Sequence, residues 1–163
     1  MPLSVKKWQK KACKMRKFEI RQDTCYNYSI KTIKKWESFR PKKYKLFGRN
    51  YIGYGHLLTK KDTISILNES QADSLLKNDF NKALKISKMD TLRLQNEKKM
   101  LIAMFVFNCG IGTLKRSKLL KLIKYGANDS IIEKQYLGYV FANGKKIPKL
   151  KLRRIDEFKL WKL

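Results

Sequence analysis

The stretch Ile33-Lys34-Lys35-Trp36-Glu37-Ser38-Phe39-Arg40, followed by Tyr44, Gly48 and Ile52-Gly53-Tyr54-Gly55-His56, decides how the chain is read. It sets two periodicities side by side. Ile30, Ile33, Trp36 and Phe39 recur at helical spacing, and Pro41 disfavours helical geometry in the residue before it, so a helix is expected from Ser29 to Arg40. From Tyr44 to Leu58 the chain becomes aromatic and glycine-punctuated, which predicts a small hairpin or meander. Glu37 lies four residues after Ile33 and seven after Ile30, so it shares or borders the apolar stripe, unlike the lysines beside it. Burial favours the protonated form of a carboxylic acid and nearby cations favour its anion. This position has both, with Trp36 and Phe39 on one side and Lys34, Lys35, Arg40, Lys42 and Lys43 on the other. Two readings are open: a structural acid paired with an arginine, or a general acid.

Downstream, Asn68 with Gln71 three residues on has the form of a capping box and opens a helix with Leu75, Leu76 and Phe80 along one side. The run Glu97 to Asn108 is apolar enough to form a central helix, which Gly110 and Gly112 break. Leu114 to Lys124 reads as one basic amphipathic helix ending before Gly126. A turn at Asn143-Gly144, then Pro148 and a last helix carrying Arg153, Arg154, Phe158 and Trp161, complete the chain. Residues 1–27 read as a basic amphipathic N-terminal extension, in which Ser4 caps a helix with Val5, Trp8, Ala12 and Met15 at helical spacing. Such a helix either packs on the main domain or docks on a membrane, nucleic acid or another protein. The remainder, 28–163, is expected to be one α+β domain, mainly helical, with a small antiparallel sheet.

Length and composition agree with that expectation. A chain of 163 residues fits one domain that buries roughly two thirds of its unfolded surface. With 43% hydrophobic and 12% aromatic residues it is unlike a disordered polymer. Against 13 Asp and Glu stand 39 Lys and Arg, a net charge of +26. That field draws polyanions such as bacterial envelope polymers, anionic membranes or nucleic acid, unless it is a solvated lysine-rich surface and nothing more. Cys13, Cys25 and Cys109 are odd in number and lack metal-ligand spacing, which points to a reducing compartment, no zinc site and no cysteine nucleophile. No apolar run approaches the roughly 18–20 residues that span a bilayer. The basic N-terminus lacks the apolar centre of a secretory signal. A protein made in the cytoplasm is expected, one that reaches any target outside by release or delivery.

The opening stretch resembles the signature of the phage lysozymes, a family of glycoside hydrolases. The resemblance continues through Leu67 to Phe80, through Phe107-Asn108-Cys109-Gly110-Ile111-Gly112 with Ser117, Leu119 and Leu120 after it, and through Asn143-Gly144, Pro148 and Arg153-Arg154. It covers about residues 28 to 162. It implies a fold with a small antiparallel sheet lobe and a helical lobe. It also implies muramidase action without metal or cofactor: hydrolysis of peptidoglycan glycan strands between N-acetylmuramic acid and N-acetylglucosamine. Glu37 occupies the position of the glutamate that protonates the leaving oxygen. His56 is implied to pair with Asp79 and tie the lobes together, and either Arg153 or Arg154 to pair with Glu37. Asn108 and Ser117 are implied glycan contacts, with satisfaction of backbone groups at the helix end as the alternative for Asn108, while Tyr44, Tyr28 and Tyr54 either stack on sugars or pack.

Two family positions are not matched. Nine residues after Glu37, where the family has aspartate, stands Leu46, and where it has threonine before Ile52-Gly53 stands Tyr51. No Asp or Glu occurs between Glu37 and Asp62. Glycosidases of either stereochemistry normally use a second carboxylate or its equivalent. Asp62 reaching in from a loop, Tyr51 or Asn50 orienting water, or the substrate's own acetamido group are the available substitutes. Two functions therefore compete: a peptidoglycan-cleaving lysozyme, whose basic surface helps it hold an anionic wall, and a degenerate lysozyme fold kept as a basic structural or polyanion-binding component, for example of a virion. A plain nucleic-acid binder has only the charge in its favour, since no recognition module is visible.

Overall fold

A computed structural model of the chain describes residues 23–46, 48–87, 94–142 and 144–162. The expected extension helix from Ser4 to Met15 lies outside them. The described chain opens in a helix, α1, that runs through 23–37. It therefore starts before Ser29, and its inner face carries Cys25, Ser29, Ile30, Thr32 and Ile33 into the core. It also stops three residues before Arg40. Ser38 takes the left-handed conformation at φ 58 and donates its amide to the carbonyl of Lys34 at 3.1 Å, which closes the last turn. Phe39 thus leaves the helix and packs its ring on Tyr54, with centroids 5.7 Å apart.

Three antiparallel strands follow, β1 (Arg40–Leu46), β2 (Arg49–Gly53) and β3 (His56–Leu57), in that spatial order. Tyr44 pairs with Tyr51, and Tyr51 with Leu57. Pro41 is tolerated because it sits at the sheet edge. Its carbonyl accepts from Leu67 at 2.8 Å, and Lys43 donates to Ser65 at 3.2 Å, so the returning loop covers that edge. At Gly53, φ +63, an added Cβ would come within 3.1 Å of Ala72 Cβ, so the glycine lets the sheet lie directly on the next helix.

That helix is α2 (Glu69–Ser87). The capping box forms reciprocally, with Gln71 Oε1 accepting from the Asn68 amide and Asn68 Oδ1 from the Gln71 amide, each at 2.9 Å. Ala72, Leu76, Phe80 and Ala83 make its buried stripe. Then α3 (Asn96–Cys109) runs through the centre, with every residue from Met100 to Val106 buried. A helix apolar on all sides belongs in the middle of a core.

The single helix expected over Leu114 to Lys124 is two: α4 (Ile111–Arg116) and α5 (Lys118–Lys124). Ser117 breaks it. Its backbone is extended, its hydroxyl donates to the Leu114 carbonyl at 2.6 Å, and the same oxygen accepts from the Leu120 amide at 3.0 Å, capping α5. Next come α6 (Asp129–Leu137), a hairpin of β4 (Phe141–Ala142) and β5 (Lys145–Lys146) turned at Gly144, and α7 (Pro148–Phe158). A single-turn helix, Lys159–Lys162, closes the described chain. Its Trp161 donates to Asp129 at 2.9 Å and pins the tail to α6. The architecture is α+β and mainly helical, with small antiparallel sheets. No helix of the described residues is long and apolar enough to cross a membrane.

Candidate active site

Between the β1–β3 sheet and the helical part lies a cleft of about 1060 Å³. Tyr44, Leu46, Tyr51 and Gly55 line it from the sheet side, and Phe107, Asn108, Tyr139 and Phe141 from the other. Glu37, the last residue of α1, reaches its wall. The left-handed Ser38 directs the chain away at that point, so the carboxylate stands at the mouth of the cleft with 23% of its side chain exposed.

The two oxygens of Glu37 have different surroundings. Oε1 accepts from Arg153 Nη1 at 2.7 Å. Oε2 lies against the backbone of Gly55, where an added Cβ would come within 3.3 Å of it at a φ of +82. A side chain there would push the carboxylate aside, so the glycine is what lets the sheet approach the acid.

Arg153 is itself held from behind. Its Nε donates to Glu157 Oε1 at 2.8 Å, while Glu157 Oε2 accepts from Arg154 Nη1 at 2.5 Å and from the Tyr136 hydroxyl at 2.8 Å. Glu157 is fully buried, and Arg153 and Arg154 nearly so. Arg154 continues the chain to Asn108 Oδ1 and to the Tyr139 carbonyl, the latter at 3.1 Å. Burial works against the charge on Arg153, but the carboxylates of Glu37 and Glu157 outweigh it and raise its pKa. Two acids and two arginines make a neutral set, which is how four charges tolerate the interior. Arg153 Nη2 is buried and has no hydrogen-bond partner among the described residues.

On the opposite wall, the guanidinium of Arg40 lies 4.4 Å from the Tyr44 ring centre, and Tyr44 stacks on Tyr51 at 5.9 Å. Burial pushes the Tyr44 phenol up, the anion of Glu37 adds to that, and Arg40 opposes it. Leu46 and Leu57, 46% and 39% exposed, complete an apolar floor. At the α2 end His56 Nδ1 meets Asp79 Oδ2 at 2.5 Å. The hydrogen bond to Asp79 raises the pKa of His56 against the effect of burial. For Asp79, burial acts upward, but His56 and Lys82 more than reverse it and the net shift is down.

Of the residues singled out from sequence, Glu37, Leu46, Tyr51, Tyr44, Asn108, His56, Asp79 and Arg154 all line the cleft, and Arg153 lies behind Glu37. Ser117 is not brought there. It is buried as the cap of α5, because the hydroxyl expected to meet a sugar is spent on the helix break. Tyr54 donates to Glu69 at 2.7 Å and Tyr28 to the Asp156 carbonyl at 2.9 Å, so both pack. Glu157 carries no motif of its own, though its spacing of four from Arg153 and three from Arg154 on one helix is a readable ion-pair signal. Cys109 lines the cleft as a free thiol whose pKa burial raises, which suits packing better than nucleophilic attack.

A family model described as phage lysozyme matches residues 34–157. The chain belongs to the phage lysozyme family. An endolysin of Bacillus phage B103 is 30% identical over 135 residues, covering 78% of this chain and 50% of the relative. This phage lysozyme chain thus spans about half the length of that relative. Among solved structures, the muramidase domain of SpmX from Asticaccaulis excentricus superimposes with a TM-score of 0.72 at 24% identity, covering 82% of this chain and 93% of that one. An endolysin from Escherichia coli O157:H7 phage FAHEc1 gives 0.69 at 20% identity, covering 82% and 90%. At such identities the superpositions speak for the phage lysozyme fold alone.

Proposed function

We propose that the protein cleaves the glycan strands of peptidoglycan between N-acetylmuramic acid and N-acetylglucosamine, with Glu37 protonating the leaving oxygen. The observation that carries this reading is the asymmetric seat of Glu37. One oxygen is clamped by a buried arginine, which fixes the carboxyl plane. The other lies at the cleft beside a backbone that has no side chain. A positioned acid of this kind is worth about 10²–10⁴-fold in rate. Tyr44, with exposed Leu46, Leu57 and Phe141 around the cleft, offers apolar faces to a polymer of pyranose rings, and Asn108 offers an amide held by Arg154. The positive charge favours residence on an anionic cell wall, reached by release or delivery.

The experiment is release of soluble fragments from purified peptidoglycan, with Glu37→Gln alongside. Loss of at least ~10²-fold is expected at a temperature where both proteins are folded. Full activity in the Gln variant would remove Glu37 from the role of acid.

One observation favours a second reading, a degenerate lysozyme fold that binds polyanions. Both positions where the family has aspartate and threonine, Leu46 and Tyr51, line the cleft without a carboxylate. That reading expects no new glycan ends at any pH, together with salt-sensitive retention on a polyanion.

A further inference from the structure

The floor of the cleft is built for stacking a sugar and not for activating water. Tyr44, Tyr51 and Leu57 stand in register across the three strands, and Leu46, two residues along β1 from Tyr44, shares their face. All four line the cleft. None can take a proton from a water molecule as a carboxylate does. Among the described residues, the other carboxylates on the cleft wall are Asp62 and Asp79, and both are engaged. Asp62 accepts from the amide and hydroxyl of Thr59 at 2.6 and 2.7 Å, and Asp79 holds His56 and Lys82. The charges acting on Asp62 are those of His56 and Lys82, at the α2 end, whereas the charge of Glu37 acts on Tyr44 and Arg153. Among the described residues, the cleft has Glu37 at one place and its other two carboxylates together at the α2 end, with the apolar floor of Leu46, Tyr51 and Leu57 on the sheet side.

We infer that the strand is broken without water: the C6 hydroxyl of the N-acetylmuramic acid residue attacks its own C1, closing an anhydro ring, with Glu37 acting first as acid and then as base. This rests on the reading of Glu37 as the group that protonates the leaving oxygen.

The proton balance closes on one side chain. Protonated Oε2 of Glu37 gives its proton to the glycosidic oxygen as the bond from that oxygen to C1 breaks and its electron pair leaves with N-acetylglucosamine. The C6 oxygen then bonds to C1, and its proton passes to the Glu37 carboxylate, restoring the acid. Nothing is oxidised or reduced, no water is consumed, and the two products together have the composition of the original strand. Arg153 on Oε1 stabilises the carboxylate between the two halves.

Magnitudes decide between the routes. Water attacking without a general base forgoes about 10²–10⁴-fold. A hydroxyl tethered to the same ring enjoys effective molarities on the order of 10⁵ M or more when it is well aligned. Stacking the sugar on the Tyr44–Tyr51–Leu57 floor fixes that alignment and covers the face from which water would come.

The test uses the full chain on purified peptidoglycan in water enriched in the heavy oxygen isotope, with fragments read by mass spectrometry before and after borohydride reduction. Muramic acid ends one water lighter than the hydrolysed form, free of heavy oxygen and resistant to reduction, are expected. Reducible ends carrying one heavy oxygen overturn the inference and leave the glycosidase reading standing. No new ends of either kind overturns both. In Glu37→Gln the anhydro ends are expected to fall by at least ~10²-fold.

Discussion

Glu157 is the residue on which the geometry of Glu37 depends without touching the cleft, and Glu157→Gln measures that dependence. The carboxylate is fully buried and receives three donors: Arg153 Nε on Oε1, and Arg154 Nη1 with the Tyr136 hydroxyl on Oε2. A glutamine keeps one oxygen. If that oxygen faces Arg153, the new amide NH₂ points at Arg154 and Tyr136, so donor meets donor. If the amide is flipped, the clash falls on Arg153 instead. Either way two buried guanidiniums are left with Glu37 as their one remaining carboxylate, and breaking a buried pair on one side costs about 3–5 kcal/mol. For a chain of this size that is a drop in Tm of roughly 6–20 °C. Calorimetry or urea unfolding of the two proteins reads it directly. Activity should be compared at a temperature where both are folded, and is expected to fall further, because Arg153 no longer has a fixed point from which to hold Glu37 Oε1. A destabilisation under about 1 kcal/mol would refute the reasoning, since exposed ion pairs are worth that little.

The His56–Asp79 pair predicts a pH window. His56 has its pKa raised above 6.5, so its stabilisation is full below that value and fades as pH rises through the raised one. Asp79 has its pKa lowered below 3.8, so its contribution is full above that value and fades as pH falls through the lowered one. Between pH 3.8 and 6.5, therefore, His56→Gln is expected to cost about 1.5–3 kcal/mol in urea unfolding, shrinking on either side; a pH-independent cost would break the argument. Gly55→Ala places a Cβ 3.3 Å from Glu37 Oε2 at a φ of +82. It should cost about 1–2 kcal/mol of stability and, at a temperature where the protein stays folded, at least about tenfold in kcat. Leu46→Asp with Tyr51→Thr restores the residues the family has at these two positions, and is expected to add reducible glycan ends to the product mixture. Products unchanged in kind would mean that these positions do not govern what attacks C1.

How much of this was legible in the residues varies by element, for physical reasons. The α2 start was readable because Asn68 and Gln71 are a local device, complete within four residues. The central helix was readable because its apolar run admits no other place. The end of α1 was not, since Pro41 marks the latest point at which a helix can stop, whereas the actual stop depends on Ser38 accepting a left-handed backbone and on Arg40 finding a strand partner in Gly53. The break at Ser117 was hidden for a similar reason: a serine inside an amphipathic pattern is compatible with continuation and with capping, and tertiary packing selects between them. Glu37 was visible as an acid bordering an apolar stripe, but the choice of Arg153 over Arg154 is made by α7, more than a hundred residues away in sequence. A signal for α6 existed in Asn128 and in the spacing of Ile132 and Tyr136, but short helices with few apolar positions stand out poorly from loops.

The features that hold Glu37 are individually unfavourable for stability. Ser38 has a left-handed backbone without being glycine, and a four-charge cluster is buried where apolar side chains of the same size would cost less. A cleft that only held polyanions would gain nothing from any of these, because long-range attraction comes from exposed lysines and needs no fixed carboxylate, least of all one that repels the ligand. The same cleft at Leu46 and Tyr51 shows no such expense and is simply apolar. Costs concentrated around one acid, and absent from the positions that would activate water, are what a site working through a single proton-transferring group would show.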